Sequence, residues 1–178
     1  MKGLDAMSMS QIELKQEVTR NDAQSILSWM KDHEITKYLN ESTDIISELQ
    51  QTIERVNTMI MTHLFNRYGS FYLIYSDHTE PVGFLKLVRK PKETEIVVVI
   101  GDKKRWGKGL GKASIIKGLE IAFFQWRASL VIAKINPKNV RSTKAFENLG
   151  FQVENEYKNM KVYSLSIDDY ITRLTKVT

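Results

Sequence analysis

The segment from Glu95 to Ile135 limits the fold most. It opens with a β-branched run, E95-I-V-V-V-I100, and passes through a glycine-rich loop, W106-G-K-G-L-G111. From Leu110 the apolar period becomes helical, with Ile115, Ile116, Leu119, Ala122, Phe123 and Trp126 on one face, and Leu130 to Ile135 is again strand-like. Strand, glycine loop, helix, strand is a crossover between parallel strands. The loop has its own chemistry. The first amides of a helix lack internal partners and the helix dipole there favours anions. Glycines let the backbone approach phosphate oxygens. The loop lacks the G-K-[ST] of a Walker motif and is not a full G-x-G-x-x-G. Taken alone, the segment is open to two readings, a diphosphate cradle and a plain glycine turn into a helix.

The remaining pattern surrounds this crossover with antiparallel signals. Ile12 to Val18 alternates as a half-buried strand, and Asn21-Asp22 offers a cap for a helix over Ala23 to Trp29. Ser42-Thr43-Asp44 offers another cap. After it, Ile45, Leu49, Ile53, Val56, Ile60 and Leu64 predict one amphipathic helix. Phe71 to Tyr75 and Val82 to Val88 flank Asp77 to Pro81 as a hairpin, which Glu95 to Ile100 extends. Asn139 caps a later helix that ends at Gly150. Phe151 to Val153 and Lys161 to Ile167 close the sheet, and the tail from Asp168 is expected to form one helical turn. The predicted order is β-α-α-β-β-β-α-β-α-β-β. That is an α/β (α+β) fold with a mixed, mainly antiparallel sheet and helices on both faces. Residues 10–178 read as a single domain, and residues 1–9 are expected to be poorly ordered.

The 178 residues include no cysteine, which excludes disulfides, thiolate metal sites and a cysteine nucleophile. No secretory h-region and no apolar run of spanning length occur, so a cytoplasmic protein with no membrane partner is expected. The net charge of +5 allows an anionic partner. Its densest cluster, Lys103, Lys104, Arg105, Lys108 and Lys112, coincides with the glycine loop and lacks the interleaved aromatics of a nucleic-acid stripe. No nucleic-acid partner is therefore expected. The histidines His33, His63 and His78 lie away from the loop, and no metal site is predicted.

A second segment, N139-V-R-S-T-K-A-F-E-N-L-G-F151, changes the reading of the loop. The pair resembles the GNAT superfamily of acyl-coenzyme A N-acyltransferases, in the branch of ribosomal-protein N-terminal acetyltransferases and their small-molecule relatives. That family's later motif is N-x-x-[S/A]-x-x-x-[Y/F]-x-x-x-G-F, matched at Asn139, Ser142, Phe146, Gly150 and Phe151. Its loop, [Q/R]-x-x-G-x-[G/A], is matched at Gly109 and Gly111, but Trp106 replaces the leading Gln or Arg.

The resemblance implies acetyl-coenzyme A as co-substrate and direct transfer to a primary amine of a small molecule or peptide, by a monomer or homodimer. It places the cofactor against the loop that Trp106 opens, with the diphosphate on the backbone amides of Gly107, Lys108, Gly109, Leu110 and Gly111 and with Lys108 and Lys112 adding charge. It places the pantetheine arm near Asn136 and Asn139, with Ser142 and Phe146 alongside. The strand amides of Val98, Val99 and Ile100 would polarise the thioester carbonyl.

An ammonium of pKa about 10.4 is rarely neutral at pH 7, a cost of about 4 kcal/mol without a base. The resemblance puts that base at Glu95, with Glu93 as its neighbour. Relatives often carry tyrosine where Phe146 stands, so the thiolate's proton would come from Tyr157, from Tyr163 or from water. The acceptor pocket would draw on Trp29, Tyr38, Tyr157 and Tyr163. A non-catalytic acyl-coenzyme A sensor is the alternative.

Overall fold

The computed structural model describes residues 12–39 and 43–176. Two expectations, the poor order of residues 1–9 and a cap at Ser42-Thr43-Asp44, rest on residues or side chains outside that description. The elements are β1 (Glu13–Lys15), α1 (Arg20–Lys31), α2 (His33–Thr36), α3 (Thr43–Arg55), α4 (Thr62–Phe65), β2 (Ser70–Tyr75), β3 (Pro81–Arg89) and β4 (Thr94–Ile100). After a 3₁₀ turn at Lys103–Arg105 come α5 (Leu110–Glu120), a π-helical turn at Ile121–Gln125, β5 (Leu130–Ile135) and α6 (Val140–Asn148). The chain closes with β6 (Gln152–Tyr157), β7 (Met160–Ser166) and α7 (Ile167–Lys176).

One seven-stranded sheet runs β1-β2-β3-β4-β5-β7-β6. Every neighbouring pair is antiparallel except β4 and β5, which run parallel. The expected mixed sheet with helices on both faces is observed. On one face Ile115 and Leu119 of α5 pack with Leu85, Ile96 and Val131. On the other Ile26 and Met30 of α1 and Ile53 of α3 pack with Leu73, Phe84 and Val99. Gly118 lets α5 lie close to the sheet, since a Cβ there would stand 2.7 Å from Ile96 Cδ1. That contact sets the end of α5 against the start of β4.

Several predicted boundaries shift, each for a local reason. The first helix is capped by Thr19, not Asn21-Asp22. Its side chain and that of Asp22 form a reciprocal capping box, with Asp22 at the third helical position. The single helix predicted from Ile45 to Leu64 ends at Arg55. Arg20 donates to the carbonyls of Ile53 and Val56, both at 2.6 Å, and so occupies the helix end. The chain then turns extended, with Ile60 bridging Thr19 and the Met61 N–H bonding Val18 at 2.7 Å. Only Glu13 to Lys15 of the first predicted strand pairs with β2. β6 runs on to Tyr157, and the predicted final turn is a helix ending at Lys176. Ser166 caps that helix by accepting from the Asp169 N–H at 3.1 Å. Among the described residues no helix is long and apolar enough to cross a membrane.

Candidate active site

β4 and β5 pair only at Thr94 with Val131 and Glu95 with Ile132. Beyond Glu95 the two parallel strands part, which leaves the β5-facing edge of β4 without a ladder. The direction of each amide follows from alternation. Gly101 N–H donates to the Val82 carbonyl at 2.9 Å, so Val99 also turns its N–H toward β3. Val98 and Ile100 therefore aim their backbone polar groups into the fork. The Ile100 carbonyl is taken by the indole N–H of Trp106 at 2.8 Å.

The glycine loop closes one end of the fork. Gly107 and Gly109 have φ of +76° and +77°, the left-handed region that glycine enters without strain. Gly109 is the N-cap of α5, and the first helical bond runs from Ala113 N–H to its carbonyl at 3.0 Å. At Gly107, Gly109 and Gly111 an added Cβ would meet nothing within 4 Å. The bare backbone of the helix start thus faces open space.

The opposite wall is α6. Asn139 caps it by accepting from Ser142 N–H at 3.2 Å. Its far end is a Schellman turn, in which Phe151 N–H reaches the Phe146 carbonyl at 3.2 Å and Gly150 N–H reaches Glu147 at 2.9 Å. The Phe146 and Phe151 rings meet edge-on, 4.9 Å apart. Two of the motif's residues, Gly150 and Phe151, therefore shape the helix end, and Phe146 both packs there and reaches the cleft.

Together these walls enclose a cleft of about 570 Å³, within the range of small-molecule sites. Val98, Val99, Ile100, Trp106, Gly107 and Gly109 line it. Leu110, Gly111, Lys112, Asn139, Ser142 and Phe146 complete the predicted residues that it gathers. Lys108, Asn136, Glu95 and Tyr157 are not among the lining residues. Asn136 instead accepts from Lys138 N–H at 2.9 Å, which shapes the turn before α6. Tyr157 is 58% exposed on β6, and Tyr163 is buried in the core. Trp29 packs on Gly101, and of the predicted acceptor-pocket residues only Tyr38 reaches this cleft.

Glu95 lies where the strands part. Its carboxylate bonds the Lys90 ammonium and sits 3.1 Å from Lys134 Nζ. Burial works against its charge, but the hydrogen bonds and charge of Lys90 and Lys134 outweigh burial and hold the carboxyl below the usual range. The basic cluster divides as well. Lys103 pairs with Asp32 and Glu34, and Arg105 with Asp77 at 2.6 Å. Those charges are largely consumed within the protein.

Sequence reasoning did not select Glu34 or Arg141, which also line the cleft. Arg141 could have been noticed as the basic residue of the N-V-R-S segment, but its direction depends on packing across the cleft. Among the described residues no group of His, Cys, Asp and Glu is arranged to hold a metal ion.

A family model described as Acetyltransferase (GNAT) domain matches residues 14–152. An uncharacterized N-acetyltransferase p20 of Bacillus licheniformis is 27% identical over 158 residues, 87% of this chain and 88% of that protein. The structure of spermidine N-acetyltransferase from Vibrio cholerae in complex with CoA and spermine aligns with a TM-score of 0.71 at 18% identity, covering 91% of this chain and 99% of that one. A domain from Methanocaldococcus jannaschii gives a TM-score of 0.70 at 21% identity, covering 88% and 98%. At these identities the structural likeness is one of fold.

Proposed function

The chain belongs to the GNAT acetyltransferase family, and from that premise we propose that it moves an acetyl group from acetyl-coenzyme A directly to a primary amine of a small molecule or peptide. The observation that carries this reading is the fork itself. A parallel strand pair opens after Glu95, and the bare glycine backbone of a helix start faces the gap. The residues present fit the co-substrate, because the space that a Cβ would fill at Gly107, Gly109 and Gly111 is free for a ligand to approach the backbone.

The backbone from Gly107 to Gly111 holds the diphosphate, with Lys112 contributing charge. The bound thioester supplies an activated acyl group. The Val98 N–H, left without a strand partner on the fork side, polarises the carbonyl. Phe146 has no proton to give, and Tyr38 is the phenol placed on the cleft wall, so Tyr38 donates to the departing sulfur. The incoming ammonium loses its proton to water at the α2 edge, near Glu34. Glu95 keeps its charge between Lys90 and Lys134 and steadies the fork.

Calorimetry with coenzyme A and an acetylation assay across an amine panel test this reading. The parent should bind coenzyme A and acetylate at least one amine. Gly109→Glu and Gly111→Glu should stay folded and lose binding, because each puts a carboxylate where an anion sits. A parent without affinity, or both variants with parental affinity, would overturn it.

A further inference from the structure

The guanidinium of Arg141 lies over the Trp106 ring, 3.9 Å from its centroid. The two residues come from opposite walls of the cleft, and both line it. Trp106 cannot serve an anion itself, because its only side-chain donor is committed to the Ile100 carbonyl. Arg141 is in the converse position. One face rests on the indole, and its edge carries five N–H donors in a fixed fork. Among the described residues no carboxylate pairs with it and no side-chain hydrogen bond occupies that edge. Its place in the chain is also unfavourable by itself. It sits in the first turn of α6, which holds no acidic residue, so a positive charge stands at the positive end of a helix dipole. An anion in the cleft would reverse that penalty.

We propose that Arg141 is the phosphate-recognising side chain of this cleft, and that Trp106 is its seat. The loop's first residue then contributes by positioning a cation from the facing helix. The inference rests on the cofactor reading above and identifies which side chain recognises a phosphate of the ligand. A guanidinium stacked on an indole keeps its edge free and directed, so it can grip a phosphate by two N–H donors. Lysine at the same place would lack both the flat stack and the fork.

Calorimetry on the full chain, with coenzyme A and 3′-dephospho-coenzyme A as probes, tests this. Arg141→Ala and Arg141→Gln should each weaken coenzyme A binding about tenfold to a hundredfold. A loss that vanishes with the dephospho probe assigns Arg141 to the 3′-phosphate. A loss equal for both probes assigns it to the diphosphate. Thermal melts establish that each variant is folded.

Trp106→Phe removes the bond to Ile100 but keeps an aromatic face, and it should retain most of the affinity. Trp106→Leu removes both and should lose most of what Arg141→Ala loses. In the Arg141→Ala background Trp106→Leu should cost little more. Parental affinity in both Arg141 variants would overturn the proposal, and fully additive losses would overturn the seat. If the parent binds coenzyme A and Gly109→Glu abolishes binding, failure at Arg141 leaves the proposed function standing. A parent that does not bind removes both.

Discussion

Gly109 and Gly111 stand on either side of Leu110 and should answer an added methyl differently. Gly109 has a φ of +77°, where an L side chain costs about 1–2 kcal/mol. Gly111 lies inside α5 with no positive φ and nothing within 4 Å of a Cβ. Alanine there should raise unfolding free energy by about 0.5–1 kcal/mol, since glycine weakens a helix. Yet that methyl enters the space where the proposed ligand would meet the backbone. Gly111→Ala should therefore be more stable in urea and weaker for coenzyme A, and Gly109→Ala should lose on both counts. Equal affinity of Gly111→Ala and the parent would mean that no ligand approaches this backbone. Tyr38 offers a second test at this scale. Tyr38→Phe should lower turnover roughly 10²-fold or more and leave coenzyme A affinity unchanged in calorimetry. Parental turnover would hand the thiolate's proton to water.

Two elements carry tests of their own. The β4–β5 fork is held at its root by Glu95 with Lys90 and Lys134. Glu95→Gln should cost about 1–3 kcal/mol at pH 7, as a half-buried charge cluster loses its anion. The folded carboxyl titrates below its usual value. Its contribution is thus fully present above the unfolded pKa of about 4.3 and fades as pH falls through the lower folded value. Urea titrations of parent and variant should converge over that acidic window. The pH–rate profiles of the two should share one shape. A turnover loss in the variant confined to low pH would instead make Glu95 the base.

At the end of α6, Gly150 has a φ of +98° and an added Cβ would stand 2.5 Å from Arg173 Cδ. Arg173 of α7 donates to the Asn148 carbonyl at 2.9 Å and so covers that helix end. Gly150→Ala should cost at least about 1–2 kcal/mol from the backbone alone, seen as a lower urea midpoint. A variant as stable as the parent would show that this turn can relax.

For the whole molecule, the sheet supplies a rigid frame that opens at one place, and the ligand should report on the frame's stability. Coenzyme A at about a hundredfold excess over its Kd should add about 2.7 kcal/mol to the folded state. For a chain of this size that is a rise in Tm of roughly 5–10 °C. Gly109→Glu should abolish the rise, as seen in a thermal melt with and without ligand. A rise that survives in the variant would place the ligand elsewhere. The net charge of +5 does not translate simply into anion binding. Lys103 and Arg105 pair with Asp32, Glu34 and Asp77, so part of the cluster's charge is neutralised within the protein.

The sequence by itself carried what arises between near neighbours. Glycines at positive φ, the Asn139 cap, the Gly150 turn and the change from strand to helical period all express hydrogen bonds closed within a few residues. From these the parallel crossover and the bare glycine backbone at the helix start were legible in the sequence, and the resemblance added the residues of β4 and α6. Tertiary structure decided the pairings between distant residues. Arg20 meeting Ile53 and Val56 ends a helix whose apolar period runs on without a break. Lys90 and Lys134 meet Glu95 from a loop and from the neighbouring strand and make it the centre of an ion-pair cluster. Arg141 comes to rest on Trp106 from the facing helix. A charge or a ring finds such partners by proximity in space, and proximity between distant segments leaves no periodic mark along the chain.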